Sequence, residues 1–422
     1  MSHIVKTRLE NGLQVVLKES HTAPVSSFWV WYRVGSGRER PGITGISHWV
    51  EHMLFKGTPR WPRGTADRTI SREGGIWNAF TWYDYTAYFA TLPAAKIGLE
   101  IEIEADRMVN TLFDPQEVET ERTVIISERQ GAENDPLFLL NEKVMAAAFR
   151  VHAYGHDTIG HLDDLEKMTR DDLYHHYCTY YVPNNAVAVA VGDFDSDQML
   201  ELIQQQFGSL AAGEANGSAT PAEPSQQEER RVVLEGDGTT AYLGVVFHTP
   251  PATAADFYPL VVMDSILSGA SGMSALSGAS TNKSSRLYRA LVDTELATQV
   301  SGSLIPTVDP FVYSLTVTAR KGQSLERVEE RMVQELQRIA AEPISPRELE
   351  KSIKQAKAQF AYSSESVTGQ ASWLGWAEIL ADYTWFQEYL DNLEQVTLQD
   401  VQRVAAKYLQ RSNSTSGWYL PK

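Results

Sequence analysis

The chain has 422 residues, of which 43% are hydrophobic and 22% charged, the proportions of a globular protein with room for two or more cores and not of a disordered one. Its net charge of −17 argues against nucleic acid and membranes as partners, since polyanionic surfaces would repel it; the acidity suits either solubility or a cleft for basic peptides. A single cysteine, Cys178, excludes an intrachain disulfide.

In chain order, residues 1–6 lack the apolar core of a signal peptide, and no apolar run reaches transmembrane length, so a cytoplasmic location is expected. Strands are predicted at 13–17, 25–33, 86–92 and 186–192, which are rich in Val, Tyr, Phe and Trp. Helices are predicted at 45–56, 94–111, 115–131, 136–149 and 196–207. Leu99 to Glu104 alternates like a half-buried strand, but its place between Ala94-Ala95 and Ala105 to Met108 favours a helix.

The most informative stretch is His48-Trp49-Val50-Glu51-His52. Residues four apart are neighbours on a helix, so both imidazoles can close on one metal ion while Glu51 stays near enough to take a proton from water. This is H-x-x-E-H, the zincin motif reversed. A catalytic zinc usually takes three protein ligands, and Glu128 is the best candidate for the third. It shares a helical face with Glu121, two turns earlier, which is placed to fix the tautomer of a ligand histidine. Both glutamates could otherwise be solvated helix positions.

With these residues in place, the chain resembles the pitrilysin-type (inverzincin) zinc metallopeptidases, the family of the mitochondrial processing peptidase and its bacterial relatives. The resemblance covers Asn11-Gly12-Leu13, Gly45 to Thr58, Gly74 to Thr81, Asp84-Tyr85-Thr86, Glu121 to Glu128 and Tyr181 to Asn185. It implies one Zn2+ per chain on His48, His52 and Glu128, with Glu51 as general base and Glu121 behind a ligand. It also implies an α+β fold of two homologous domains, each a mostly antiparallel sheet packed with helices, together forming half of a peptide-enclosing chamber. In that family the segment Asn78-Ala79-Phe80-Thr81 lies at a sheet edge where an extended peptide adds as a strand. Read alone, it is an ordinary strand after a Gly74-Gly75 turn.

Six tryptophans, Trp29, Trp31, Trp49, Trp61, Trp77 and Trp82, surround the motif. They either line an apolar channel or, as the alternation of Trp29 and Trp31 suggests for most of them, belong to the core. His152 and His156 have metal spacing but sit in a loop-like segment, and His175-His176 reads as a solvated helix position.

Domains are expected at 1–210 (zinc-binding, catalytic) and 231–422 (homologous, non-catalytic), joined by a flexible linker at 211–230 that holds Gly213, Gly217, Pro221 and Pro224. The halves repeat: Thr169, Tyr180 and Asn185 meet Thr397, Tyr408 and Asn413 at one offset of 228 residues. The second half lacks H-x-x-E-H. After its landmark Ser285 to Leu291, active relatives carry an arginine and a tyrosine that reach the substrate, whereas here Val292 to Thr298 holds neither. The resemblance therefore implies a related subunit without the zinc motif that supplies this pair in a heterodimer, a homodimer being the other possibility. The Gly/Ser-rich stretch Ser268 to Ser285 could gate a chamber. A zinc endopeptidase acting on peptides or unfolded segments is the function expected. The alternative is a scaffold or assembly subunit that keeps the fold with little turnover.

Overall fold

The computed structural model describes residues 4–214, 220–270 and 283–422. In chain order its elements are β1 (Ile4–Arg8), β2 (Gln14–Glu19), β3 (Val25–Tyr32), α1 (Ile46–Met53), α2 (Thr65–Arg72), β4 (Ile76–Thr81), β5 (Thr86–Pro93), α3 (Gly98–Asn110), α4 (Pro115–Ala132), α5 (Pro136–Ala148), α6 (Leu162–Lys167), α7 (Arg170–Tyr180), β6 (Ala186–Gly192) and α8 (Ser196–Phe207). The second half adds β7 (Arg230–Gly236), β8 (Tyr242–Thr249), α9 (Phe257–Leu267), β9 (Ala297–Leu304), β10 (Phe311–Ala319), α10 (Leu325–Ala341), α11 (Pro346–Ser363), α12 (Val367–Leu380), α13 (Thr384–Glu394), α14 (Leu398–Tyr408) and β11 (Ser414–Pro421). The protein is α+β, with a mixed, mostly antiparallel sheet in each of two compact units. Among the described residues no helix is long and apolar enough to cross a membrane.

The first unit comprises the chain up to Gln130, His156–Thr220 and Ser364–Tyr383. Its sheet runs β1-β2-β6-β3-β5-β4, antiparallel except between β2 and β6. β3 is buried on both faces because helices cover both. Phe28, Val30 and Tyr32 share a core cluster with Trp49 and Val50 of α1 and with Ile101 of α3. On the other face α12 packs on β3 and β6. There Trp29 stacks on Phe89 with ring centroids 4.0 Å apart, and a Cβ at Gly375 would lie 2.0 Å from Nε1 of Trp31. A helix can approach that indole only where it carries no side chain.

The second unit comprises Gly131–Gly155, Pro221–Ser363 and Thr384–Lys422. Its sheet runs β7-β11-β8-β10-β9, with β7 and β11 parallel. The repeat has a physical counterpart in matching capping boxes, Thr169 with Asp172 and Thr397 with Asp400. Asn185 and Asn413 each donate to a carbonyl five residues earlier, on Tyr180 and Tyr408, both at 2.9 Å.

The expected division at 211–230 is crossed twice. α5, from the N-terminal half, packs on β7, β8 and β11, while α12, from the C-terminal half, completes the first unit. An apolar helix face shows in sequence that it must be buried, but not against which sheet. The linker is also partly tethered: Glu223 accepts from the backbone N–H of Arg150, Val151 and His152 at 2.8–3.0 Å. Residues 215–219 of that linker, and 271–282 of the Ser268–Ser285 stretch, lie outside the described residues.

Candidate metal centre

α1 is anchored by its N-terminus. Gly45 stands before the first turn at φ +88°, where a Cβ would meet the Ile159 carbonyl at 2.5 Å. The buried carboxylate of Glu39 accepts from Gly45 N at 2.7 Å and Ser47 N at 2.9 Å, and its Oε2 lies 2.9 Å from Nε2 of His156. Burial alone would raise the Glu39 carboxyl, but the bonds from His156, Ser47 and Gly45 outweigh it and hold the group below its ordinary value. A carboxylate at this end also faces the positive pole of the helix. Trp49, Val50 and Met53 then face the core, which leaves His48 and His52 on the opposite side.

Their Nε2 atoms lie 3.1 Å apart. Oε2 of Glu128, from α4, lies 4.0 Å from Nε2 of His48 and 3.7 Å from Nε2 of His52. Nδ1 of His52 is 2.8 Å from Oε1 of Glu121, whose Oε2 pairs with Lys56. Glu121 is buried and Glu128 exposed. With Nδ1–H donating to the Glu121 carboxylate, Nε2 of His52 presents a lone pair toward His48. Burial, reinforced by neighbouring His52, pushes His48 down to about 4, so it is neutral at pH 7. At His52 burial also lowers, but the Glu121 bond and the nearby carboxylates outweigh it and leave the imidazole above its ordinary value.

These donors fit zinc. Tetrahedral coordination at about 2.1 Å spaces ligand atoms about 3.4 Å apart, within the observed range of 3.1 to 4.0 Å. Two imidazole nitrogens and a carboxylate are its ordinary ligands. Among the described residues this is the one grouping of His, Cys, Asp or Glu able to hold an ion.

Glu51 is buried, and burial raises its carboxyl despite an opposing bond from Thr81. Thr81 Oγ1 donates to Oε2 of Glu51 at 2.6 Å. Among the described residues β4 is an edge strand, paired only with β5. Of its expected substrate-binding residues, Asn78 is exposed, Phe80 half-buried, and Ala79 and Thr81 buried. Asn78 Oδ1 also accepts from the Ala79 N–H at 2.9 Å.

Of the tryptophans, Trp29, Trp31 and Trp49 are core. Trp61 and Trp77 line a cavity of about 230 Å³ with Phe55 and Arg107. His176, expected as a solvated helix position, is instead buried with Nε2 3.4 Å from Ser47 Oγ, and burial pushes it down to about 4, while His175 is exposed. α7 packs against α1, so adjacent helical residues face core and solvent. Glu39 carried no sequence signal, and the metal spacing of His152 and His156 did not foretell the bond between His156 and Glu39, because both act from loops.

Residues 14–161 match the insulinase model of peptidase family M16, and residues 167–356 match that of the peptidase M16 inactive domain. The chain belongs to peptidase family M16. Within this family it is similar to the zinc protease PqqE of Helicobacter pylori, at 28% identity over 98% of this chain and 92% of that protein. It is also similar to the mitochondrial-processing peptidase subunit beta of Blastocladiella emersonii, at 25% identity over 96% and 85%. The crystal structure of a protease from Helicobacter pylori superposes with a TM-score of 0.94 at 27% identity, covering all of both chains.

Proposed function

We propose that this M16 chain is a zinc endopeptidase cleaving peptides or unfolded segments, with one zinc ion on His48, His52 and Glu128 and Glu51 as general base. The observation that carries the reading is the triangle of His48 Nε2, His52 Nε2 and Glu128 Oε2 beside a buried carboxylate that a hydroxyl holds by one oxygen. Bound zinc supplies a Lewis acid for water and the peptide carbonyl. Glu51 takes a proton from water as the water oxygen bonds the carbonyl carbon, and returns it to the amine nitrogen as the C–N bond breaks. Burial suits Glu51 to both halves, since a raised carboxyl accepts a proton and holds it long enough to return it. Glu121 keeps His52 in the ligating tautomer. The free edge of β4 at Asn78 to Thr81 is the surface on which an extended peptide adds, displacing the Asn78 side chain from the Ala79 N–H.

The reading includes a partner. Val292 to Thr298 holds neither arginine nor tyrosine, so a related subunit without the zinc motif supplies the groups that steady charge on the peptide carbonyl. The second reading, a scaffold subunit with little turnover, draws on that same gap and on the inactive-domain match over residues 167–356. Quenched fluorescent peptides, offered to the chain alone and with any co-purifying subunit, separate the two. Cleavage abolished by a chelator and by Glu51→Gln supports the endopeptidase. Bound zinc without cleavage in either state supports the scaffold.

A further inference from the structure

We propose that Thr81 is a positioning residue for the general base, fixing Oε2 of Glu51 so that Oε1 is the oxygen that takes and returns the proton. The inference rests on the endopeptidase reading. Thr81 is the last residue of β4, and its side chain points inward with that of Ala79 rather than toward the solvent. Its hydroxyl proton has two destinations, Glu51 Oε2 at 2.6 Å and Thr86 Oγ1 at 3.3 Å. Thr86 donates its own proton to the Val34 carbonyl at 2.9 Å, so it can only accept from Thr81.

The polarity of the chain follows. With Glu51 ionised, Thr81 donates to Oε2 through a short charge-assisted bond. A proton on Oε2 would force Thr81 to turn and give its hydrogen to Thr86 over the longer distance, replacing a strong bond with a weaker one. Protonation is thereby directed to Oε1, which makes no hydrogen bond to protein among the described residues. All three side chains are buried, so a missing hydroxyl leaves Oε2 of Glu51 without its donor. The same bond holds the carboxylate in one rotamer, and a general base must be held in place to be effective.

The test compares wild type, Thr81→Val, Thr81→Ser and Glu51→Gln in peptide cleavage, zinc content and crystal structures of the metal-free proteins. Valine is β-branched and nearly isosteric, so the strand keeps its packing. Thr81→Val is expected to bind zinc as wild type does, keep its KM and lose kcat by roughly 10- to 100-fold, with Glu51 turned out of its wild-type rotamer. Thr81→Ser restores most of the rate. A kcat for Thr81→Val within about twofold of wild type, or Glu51 unmoved in its crystals, overturns the inference. If wild type itself cleaves nothing, the endopeptidase reading falls, and the position of Glu51 in the Thr81→Val crystals still decides what Thr81 does.

Discussion

Oε1 of Glu121 lies 2.8 Å from Nδ1 of His52, and this one contact decides which nitrogen of the ring faces His48. Without that acceptor the imidazole is free to carry its proton on Nε2, where it blocks a metal. Glu121→Leu keeps most of the volume of the side chain but removes both the acceptor and the charge that also pairs with Lys56. It is expected to weaken zinc binding by roughly 10- to 100-fold while leaving the helical circular dichroism unchanged. Competition with a chromophoric chelator measures the affinity, and an unaltered affinity would refute the tautomer role.

Glu39 gives a prediction about stability. Glu39→Ala leaves Gly45 N, Ser47 N and His156 without their shared acceptor, at a cost of about 3 kcal/mol. Because the folded carboxyl is depressed, the stability it contributes is present above its unfolded value of about 4.3 and is lost as pH falls through the folded value. Urea unfolding of wild type and variant should therefore diverge at pH 7 and converge well below pH 4. A constant difference across that range would exclude the ionised form as the stabilising one.

Gly375 tests the exchange of helices between the halves. Any side chain there meets the indole of Trp31 on β3, which is fully buried. Gly375→Ala is expected to destabilise the protein by about 1–3 kcal/mol, although alanine is the better helix former by about 1 kcal/mol. A rise in melting temperature would mean that α12 is not docked on Trp31.

The extent to which the chain could be read in advance follows from where information is local. The predicted strands at 25–33, 86–92 and 186–192 became β3, β5 and β6, because β-branched and aromatic runs carry their own period. Leu99 to Glu104, which alternates like a strand, is helical in α3. Arg107 draws the Glu104 carboxylate into the interior, so charged residues occupy core positions and obscure the helical period. At the candidate site His48, Glu51 and His52 are legible since one short helix holds them, and Glu128 since helical phase links it to Glu121. The contacts that Thr81, Glu39 and His156 make are not, because each comes from a different part of the chain, and only tertiary packing brings those parts together.

The roles assigned to Glu51 and the two histidines predict different failures. Glu51→Gln retains the volume and a carbonyl that still accepts from Thr81, and it removes no metal ligand. It is expected to hold one zinc per chain and to lose cleavage by at least about 100-fold, the general-base contribution. His48→Ala and His52→Ala each leave two of three donors, so both should purify without zinc and without activity. Metal analysis and thermal melts with and without chelator separate the cases. A chelator should lower the melting temperature of wild type and Glu51→Gln alike, because a ligand bound only to the native state stabilises it. It should leave both histidine variants unmoved. Should Glu51→Gln lose its zinc, Glu51 would be acting as a ligand rather than a base, and the assignment of Glu128 as the third donor would fall with it.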